Sequence, residues 1–73
     1  MSGYYVEIAT PARVIHAERI EKRSDLAARR YFFRCFRAWM RTEGPVIGEL
    51  YRWDAEANAR AGVPLVRKQV GEW

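Results

Sequence analysis

The chain has 73 residues, a net charge of +4 and 49% hydrophobic residues, with aromatic residues making up 14%. This apolar content excludes an intrinsically disordered protein. The length predicts a single domain over residues 1–73. A domain of this size buries only about 60% of the surface that its unfolded state exposes. Eleven Arg and two Lys carry the basic charge. Because Arg favours bidentate and stacked contacts at interfaces, we expect a partner that is at least partly acidic.

The sequence has no feature of a secreted or membrane protein. Cys35 is the only cysteine, so the chain cannot form the internal disulfides on which small secreted domains usually depend. The opening sequence MSGYYVEIAT lacks the basic and long apolar segments of a signal peptide. No stretch approaches the roughly 20 apolar residues that span a bilayer. We therefore predict a soluble cytoplasmic protein without a membrane partner.

The first third of the chain predicts two strands. Tyr4 to Thr10 alternates between two faces and is rich in aromatic and β-branched residues. Pro11 to Arg23 is ambiguous between helix and strand, because its apolar residues scatter around a helix axis and are mixed with polar residues on both faces of a strand. We favour a second strand, with a bulge that returns Ile20 to the inner face.

One long helix is predicted from Asp25 to Arg41. Ser24 and Asp25 provide an N-cap and an acidic residue at the positive end of the helix dipole. At the other end, Gly44 suits the left-handed residue that ends a helix, and Pro45 prevents continuation.

The last third of the chain predicts two more strands. Val46 to Trp53 alternates as a strand in which Gly48 indicates either a weak point or a close approach. Asp54 to Gly62 begins with a capping residue, is rich in Ala and ends in Gly, which predicts one or two helical turns. Leu65 to Val70 follows Pro64 and suits an edge strand. We expect an α+β two-layer domain, with an antiparallel β-β-α-β-β sheet packed on the long central helix.

Four arginines of the predicted helix fall in one column about 16 Å long, at spacings i, i+4, i+7 and i+11. They are Arg30, Arg34, Arg37 and Arg41. Solvated helix faces usually mix acidic and basic residues, whereas this column contains no acid. Three interpretations stay open: the column is solvated or neutralised by acids of the strands, it follows a phosphate backbone, or it binds an acidic protein surface. The strand acids concerned are Glu7, Glu18, Glu21 and Glu49.

Apolar residues cover most of the remaining circumference of the helix, about twice the roughly 100° stripe that a surface helix needs. Because a one-layer sheet covers only one side of a helix, we expect an exposed apolar patch that marks an interaction site. Trp39 on the helix and Tyr5 and Trp53 on the strands are the candidate anchors. Alternatively, the rings of the strands and the chain end form the core. These rings are Tyr4, Tyr5, Tyr51, Trp53 and Trp73.

Few residues suit catalysis or metal binding. His16 and Cys35 form a dyad only if the fold brings them within hydrogen-bond reach. One His and one Cys fall short of the ligands that zinc requires, and no group of acidic residues has a metal-ligand spacing. We therefore predict no enzyme activity, no cofactor and no metal.

The layout of the chain resembles that of small phage and mobile-element proteins, including anti-CRISPR inhibitors. The resemblance consists of a Tyr-rich opening strand, a helix capped at Ser24-Asp25 and a Gly44-Pro45 exit into terminal strands. It implies stoichiometric binding to a larger protein or ribonucleoprotein complex and assigns no residues, and the arginine content indicates that the bound surface is acidic. The leading hypothesis is a binding protein of this kind, or one that forms a homodimer through the helix. The alternative is a nucleic-acid-binding module that uses the arginine column, with Tyr5 or Trp53 stacking on bases.

Overall fold

A computed structural model describes residues 1–71 as an antiparallel sheet of five strands with one helix across one face. In chain order the elements are β1 (Ser2–Ala9), β2 (Val14–Lys22), α1 (Asp25–Glu43), β3 (Val46–Asp54), β4 (Ala59–Arg60) and β5 (Val66–Val70). Strands β2, β1 and β3 lie side by side, and the far edge of β3 pairs with both β5 and β4. The predicted α+β class and helix position are confirmed, and β4 is an additional short strand. Trp73 lies outside the described residues.

The ends of α1 are capped as the sequence predicts. The Ser24 hydroxyl accepts a 3.1 Å hydrogen bond from the backbone N–H of Ala27, which satisfies one of the free donors of the first turn. Gly44 follows the helix with a positive φ of 80°, a conformation that only glycine adopts without strain. The helix therefore extends two residues beyond Arg41 and ends where Gly44 and Pro45 require it to end.

The core lies between α1 and the inner face of the sheet. Tyr4, Val6 and Ile8 of β1 are buried on this face, and Phe32 and Phe36 of α1 are buried against it. The two phenylalanines approach β3 closely. A Cβ atom on Gly48 would lie 2.7 Å from Phe36 Cδ1 and 2.8 Å from Phe32 Cζ, so the glycine marks the close approach that the sequence allowed for.

Strand β2 is confirmed, but its bulge lies elsewhere than predicted. Ile20 pairs with Tyr4 in an unbroken register and already faces the helix. The register shifts near the hairpin instead, where Ile8 pairs with His16 and Ala9 pairs with Val14, so that Ile15 is the extra residue. The bulge allows Ile15 to pack against the core, while Val14 is left 49% exposed.

The predicted helical turns between Asp54 and Gly62 are wrong, because this segment is a reverse turn that leads into β4. The Asp54 carboxylate accepts hydrogen bonds from the backbone N–H groups of Glu56, at 3.0 Å, and Ala57, at 3.2 Å. Asn58 then adopts a positive φ of 51°, which Asn tolerates better than most residues. An acidic side chain that bonds to the following backbone competes with helix formation, and here the turn prevails over the propensity of the alanines.

The wide exposed apolar patch expected on α1 is also absent from residues 1–71. Tyr31, Phe33, Cys35, Trp39 and Met40 are half-buried and pack at the margins of the core. On the described helix, Leu26 is the large apolar side chain that remains exposed, at 57%. The sheet contacts α1 along β1, β2 and β3, so it covers the flanks of the helix as well as its centre.

Candidate binding surfaces on the two sides of the sheet

The outer side of α1 presents a surface that we call the arginine face. It consists of the exposed residues Arg29, Arg30, Arg34, Arg37 and Arg41. The helical period places four of them opposite the buried side of the helix, which consists of Ala28, Phe32 and Phe36, whereas Arg29 lies at the flank of that side. The four arginines of the predicted column are therefore exposed together, and Arg29 lies across the groove from them beside Phe33.

Within residues 1–71, no carboxylate lies within ion-pair distance of the arginine face. Three of the four strand acids considered as internal partners have other contacts, and the fourth, Glu21, lies on the face of the sheet away from α1. Glu7 pairs with Arg60 at 3.1 Å, and Glu49 pairs with Arg67 at 3.6 Å. Glu18 accepts hydrogen bonds from side chains beneath α1 rather than from its outer side. Internal neutralisation, one of the interpretations left open by the sequence, therefore does not account for the arginine face.

The arginine face contains an apolar floor. An open groove of about 510 Å³ runs along it. Its lining consists of Leu26, Arg29, Arg30, Phe33, Arg34 and Arg37. Leu26 and the half-buried Phe33 therefore lie among four guanidinium groups. Such a groove suits a ligand that combines negative charge with apolar groups.

The outer face of the sheet presents a second surface, built from aromatic rings and guanidinium groups. The Tyr5 and Trp53 rings lie side by side with centroids 6.1 Å apart. The Arg19 guanidinium lies 4.6 Å from the Trp53 ring centre, and the Arg60 guanidinium lies 4.5 Å from the Tyr51 ring centre, both within the range of cation–π attraction. A shallow opening of about 360 Å³ lies beside Tyr5 and Trp53.

Tyr51 belongs to the packed part of this outer surface. It is 6% exposed, and burial, followed by the neighbouring Glu49, raises the pKa of its hydroxyl. Tyr5 and Trp53 are only half-buried. The aromatic residues of the strands therefore have both of the roles that the sequence left open. Tyr4 lies in the core, whereas Tyr5 and Trp53 remain partly accessible.

The predicted site residues fall on three separate parts of the domain. Arg30, Arg34, Arg37 and Arg41 lie on the outer side of α1, whereas Tyr5 and Trp53 lie on the opposite face of the sheet. Trp39 lies on neither surface, because its indole N–H donates a 3.1 Å hydrogen bond to His16 Nδ1 beneath the helix flank. A single bound segment therefore cannot contact the arginine column and the stacking rings at one site.

A polar cluster joins α1 to β2. His16 Nε2 lies 3.1 Å from a carboxylate oxygen of Glu18, and the Tyr31 hydroxyl donates to that same oxygen. This hydrogen bond lowers the pKa of Glu18 and, with burial, raises the pKa of Tyr31. The ligand-type atoms of His16, Glu18 and Cys35 all lie within 4.8 Å of one another. The fold therefore brings together the two residues of the conceivable dyad, together with a carboxylate that the sequence spacing did not connect to them.

The hydrogen bonds of this cluster argue for a structural role. Because an indole N–H only donates, His16 Nδ1 must accept, and the proton of the neutral imidazole is then on Nε2, which donates to Glu18. A metal-bound histidine normally donates its second ring nitrogen to an acceptor, which is the reverse of the arrangement with Trp39. Both imidazole nitrogens are thus engaged in hydrogen bonds within the domain, one with Trp39 and one with Glu18.

Comparisons with protein-family models, with curated proteins and with solved structures found no match to this chain. In the part of the chain that the structure describes, no helix has the length and apolar character needed to cross a membrane.

Proposed function

We propose that this chain is a non-enzymatic binding domain that docks the arginine face onto an acidic surface of a larger protein or ribonucleoprotein assembly. The observation that carries the proposal is the set of five exposed guanidinium groups on one side of α1, with no carboxylate of residues 1–71 at ion-pair distance. Unpaired arginines on a rigid helix provide directed donors for carboxylate or phosphate groups. They also accelerate encounter with an acidic partner.

The apolar floor of the groove favours a protein partner over a bare phosphate backbone. Leu26 is more than half exposed, and Phe33 lies beside it between the arginines. Protein interfaces combine apolar contacts with arginine anchors, whereas phosphate contacts use neither Leu nor Phe. An acidic segment with one or two apolar side chains matches both components of the groove.

Pairing of the arginine face with itself is unfavourable. A two-fold interface places the same patch of both subunits in contact, and here that arrangement would bring five guanidinium groups against five others. Like charges placed together at an interface cost several kcal/mol. The homodimer through the helix surface, one of the sequence-based hypotheses, is therefore not part of this proposal.

The experiment that tests the proposal is affinity purification from native host extracts, followed by mass spectrometry and direct titration of the partner that is identified. The test variant reverses three charges of the groove, with Arg30, Arg34 and Arg37 all replaced by Glu. The matched control reverses three exposed charges away from the groove, with Arg13, Arg23 and Lys68 replaced by Glu. We expect the wild type and the control to capture the same acidic partner and the test variant to lose it. Equal capture by the test variant would refute the assignment.

The nucleic-acid alternative is supported by the spacing of the column, since four arginines over about 16 Å suit successive phosphates. Titration with single-stranded and duplex oligonucleotides at low and moderate salt separates the two functions. Dominant phosphate contacts give an affinity that falls steeply with salt, and the triple reversal then reduces the slope of the salt dependence by about three for a duplex. If no oligonucleotide binds at low salt, the acidic protein surface remains as the target.

A further inference from the structure

Strand β2 forms a free edge of the sheet. It pairs with β1 along its length, and no strand of residues 1–71 pairs with its other side. Its nine residues, Val14–Lys22, therefore present a row of unpaired backbone donors and acceptors, which is a template for pairing with another strand. The side chains of the edge determine which strand fits.

The charges at the C-terminal end of β2 complement one another about Ile20. Glu18, Ile20 and Lys22 point to the helix side of the sheet, and Arg19 and Glu21 point to the outer side. If two copies of β2 pair in antiparallel orientation with Ile20 opposite its own copy, Arg19 lies opposite Glu21 and Glu18 lies opposite Lys22. Two-fold symmetry repeats both pairs, so every charged residue in this segment faces an opposite charge.

Neighbouring registers lack this complementarity. A shift by one residue at the centre of the pairing places Arg19 or Glu21 opposite its own copy, and a further shift toward the N-terminus places Glu18 opposite Glu18. Like charges directly opposite each other destabilise a strand pair. Glu18 also points inward on an edge strand, which is a common device against unspecific pairing. The inward-pointing Glu18 disfavours pairing with most strands, but a second β2 places Lys22 opposite it.

We propose that β2 pairs with β2 of a second copy of this chain, in the register centred on Ile20, to form one continuous sheet. Because residues on the same face pair with each other, the two-fold axis is perpendicular to the sheet and both helices lie on the same side. This inference does not depend on the proposed function, since the arginine face is not part of the contact. The dimer would nevertheless affect binding by the arginine face, because the two copies of this face point in the same direction and form a bivalent surface.

Contacts within the subunit involve three of the residues in the new pairs. Glu18 accepts from His16 and Tyr31 through one carboxylate oxygen, so the contact with Lys22 uses the other oxygen. The Arg19 guanidinium lies over Trp53, and Lys22 Nζ lies 4.5 Å from the centre of the Tyr31 ring. Arg19 and Lys22 have long, flexible side chains that can exchange one contact for the other. Exposed cation–π contacts are comparable in strength to cross-strand ion pairs. The exchange of one for the other therefore leaves the backbone pairing as the net gain, since Ile20 is already buried within the subunit.

The test is analytical ultracentrifugation of the full chain from micromolar to millimolar concentration. We expect a dimer whose fraction rises with concentration. Arg19→Glu alone, or Glu21→Arg alone, should weaken it about tenfold or more, because each converts attractive pairs into repulsive ones. The double variant with both changes restores the opposite charges, and its dimer constant should return to within about threefold of the wild type. Glu43→Arg, an exposed reversal at the far end of α1, is the matched control and should change nothing.

Hydrogen exchange of the wild type gives a readout that does not depend on any variant. Pairing of β2 with β2 should protect alternate backbone amides of Glu18 to Lys22 as the concentration rises, while the amides of β5 exchange as before. A chain that stays monomeric at millimolar concentration overturns the proposal. A dimer that is insensitive to both single reversals, or that the double variant does not restore, also overturns it.

Discussion

The Tyr4 hydroxyl donates a 2.7 Å hydrogen bond to the Asp25 carboxylate, so the buried ring of β1 is joined to the first residue of α1. The other oxygen of Asp25 forms an ion pair with Arg52 on β3. Asp25 thus connects the start of the helix to two neighbouring strands, in addition to stabilising the positive end of the helix dipole. This connection orients α1, and with it the arginine face, relative to the sheet.

Tyr4→Phe should lower the free energy of unfolding by about 1 kcal/mol, because it removes one hydrogen bond from a ring that otherwise packs unchanged. Urea denaturation followed by circular dichroism measures the effect. Tyr5→Phe is the matched control, since among the described residues the Tyr5 hydroxyl has no hydrogen-bond partner, and its effect should be within about 0.5 kcal/mol. Equal losses in the two variants would show that the contact with Asp25 contributes nothing.

The same carboxylate predicts how stability depends on pH. The hydrogen bond from Arg52, followed by that from Tyr4, lowers the pKa of Asp25 below its ordinary value of 3.8. A carboxyl group with a depressed pKa in the folded state binds fewer protons there than in the unfolded chain, so its contribution is complete above about 3.8 and is lost as the pH falls through the folded pKa. Stability should therefore decrease in acid.

Asp25→Asn isolates this contribution from that of the other carboxylates. Denaturation midpoints of the wild type and the variant should differ clearly near pH 6, and the difference should shrink as the pH falls below about 3.8, because protonation removes from the wild type the charge that Asn lacks. A difference that stays constant over the whole range would show that the Asp25 charge does not contribute.

The tight packing at Gly48 gives a prediction for the core. Gly48→Ala should destabilise the domain by about 1–3 kcal/mol, as overpacking of a core usually does, because the added Cβ would lie 2.7 Å from Phe36 Cδ1. Gly62→Ala is the control, since a Cβ there meets no atom within 4 Å. In the double variant of Gly48→Ala with Phe36→Leu, the decrease in the free energy of unfolding should be smaller than the sum of the decreases in the two single variants. Additive losses would contradict a direct clash.

The elements that the sequence predicts well are those with strong local signals. Ser24, Gly44 and Pro45 fix the ends of α1 through backbone chemistry that acts within one turn. The sequence leaves Gly48 as either a weak point or a close approach, and nothing in the local sequence shows that Phe32 and Phe36 make that approach. The partner residues come from another element, and only the fold brings them together.

Two predictions are wrong, for different physical reasons. The Ala-rich segment after Asp54 predicts helix by propensity, but the Asp54 side chain bonds to the following backbone and the Asn58 backbone turns left-handed. The bulge was expected near Ile20, whereas it is Ile15 that needs it in order to reach the core. In β2 the periodicity is mixed on both faces, so the position of an extra residue depends on the partner strand rather than on β2 itself.

The polar cluster beneath α1 was the least predictable part. His16 and Cys35 were considered as a pair, but the positions of Glu18, Tyr31 and Trp39 around them depend on how the helix lies on β2. One signal was available: a histidine and a glutamate two residues apart on a strand share a face. Their shared side is the helix side, where a half-buried carboxylate requires hydrogen-bond donors, and Tyr31 and His16 supply them.

The arginine face should reduce the stability of the domain that carries it. Arg30 and Arg34 are separated by four residues, and Arg34 and Arg37 by three, so each pair lies side by side on the helix and repels. Asp25 is the acid of the first turn, and no carboxylate of residues 1–71 pairs with these arginines. Binding of an acidic partner would relieve this repulsion, whereas a solvated surface would not.

Arg34→Glu should therefore raise the free energy of unfolding by roughly 0.8–2 kcal/mol, because it removes two repulsive pairs and creates two attractive pairs, each worth about 0.2–0.5 kcal/mol. The same change should weaken binding to the acidic partner, since Arg34 lines the groove. Arg34→Gln is the control for side-chain length and should give an intermediate result in both measurements. Thermal and urea denaturation at low salt measure the gain, which should shrink at high salt because exposed charges are screened. If Arg34→Glu destabilises the domain, the guanidinium has a structural role and the arginine face is not primarily a binding surface.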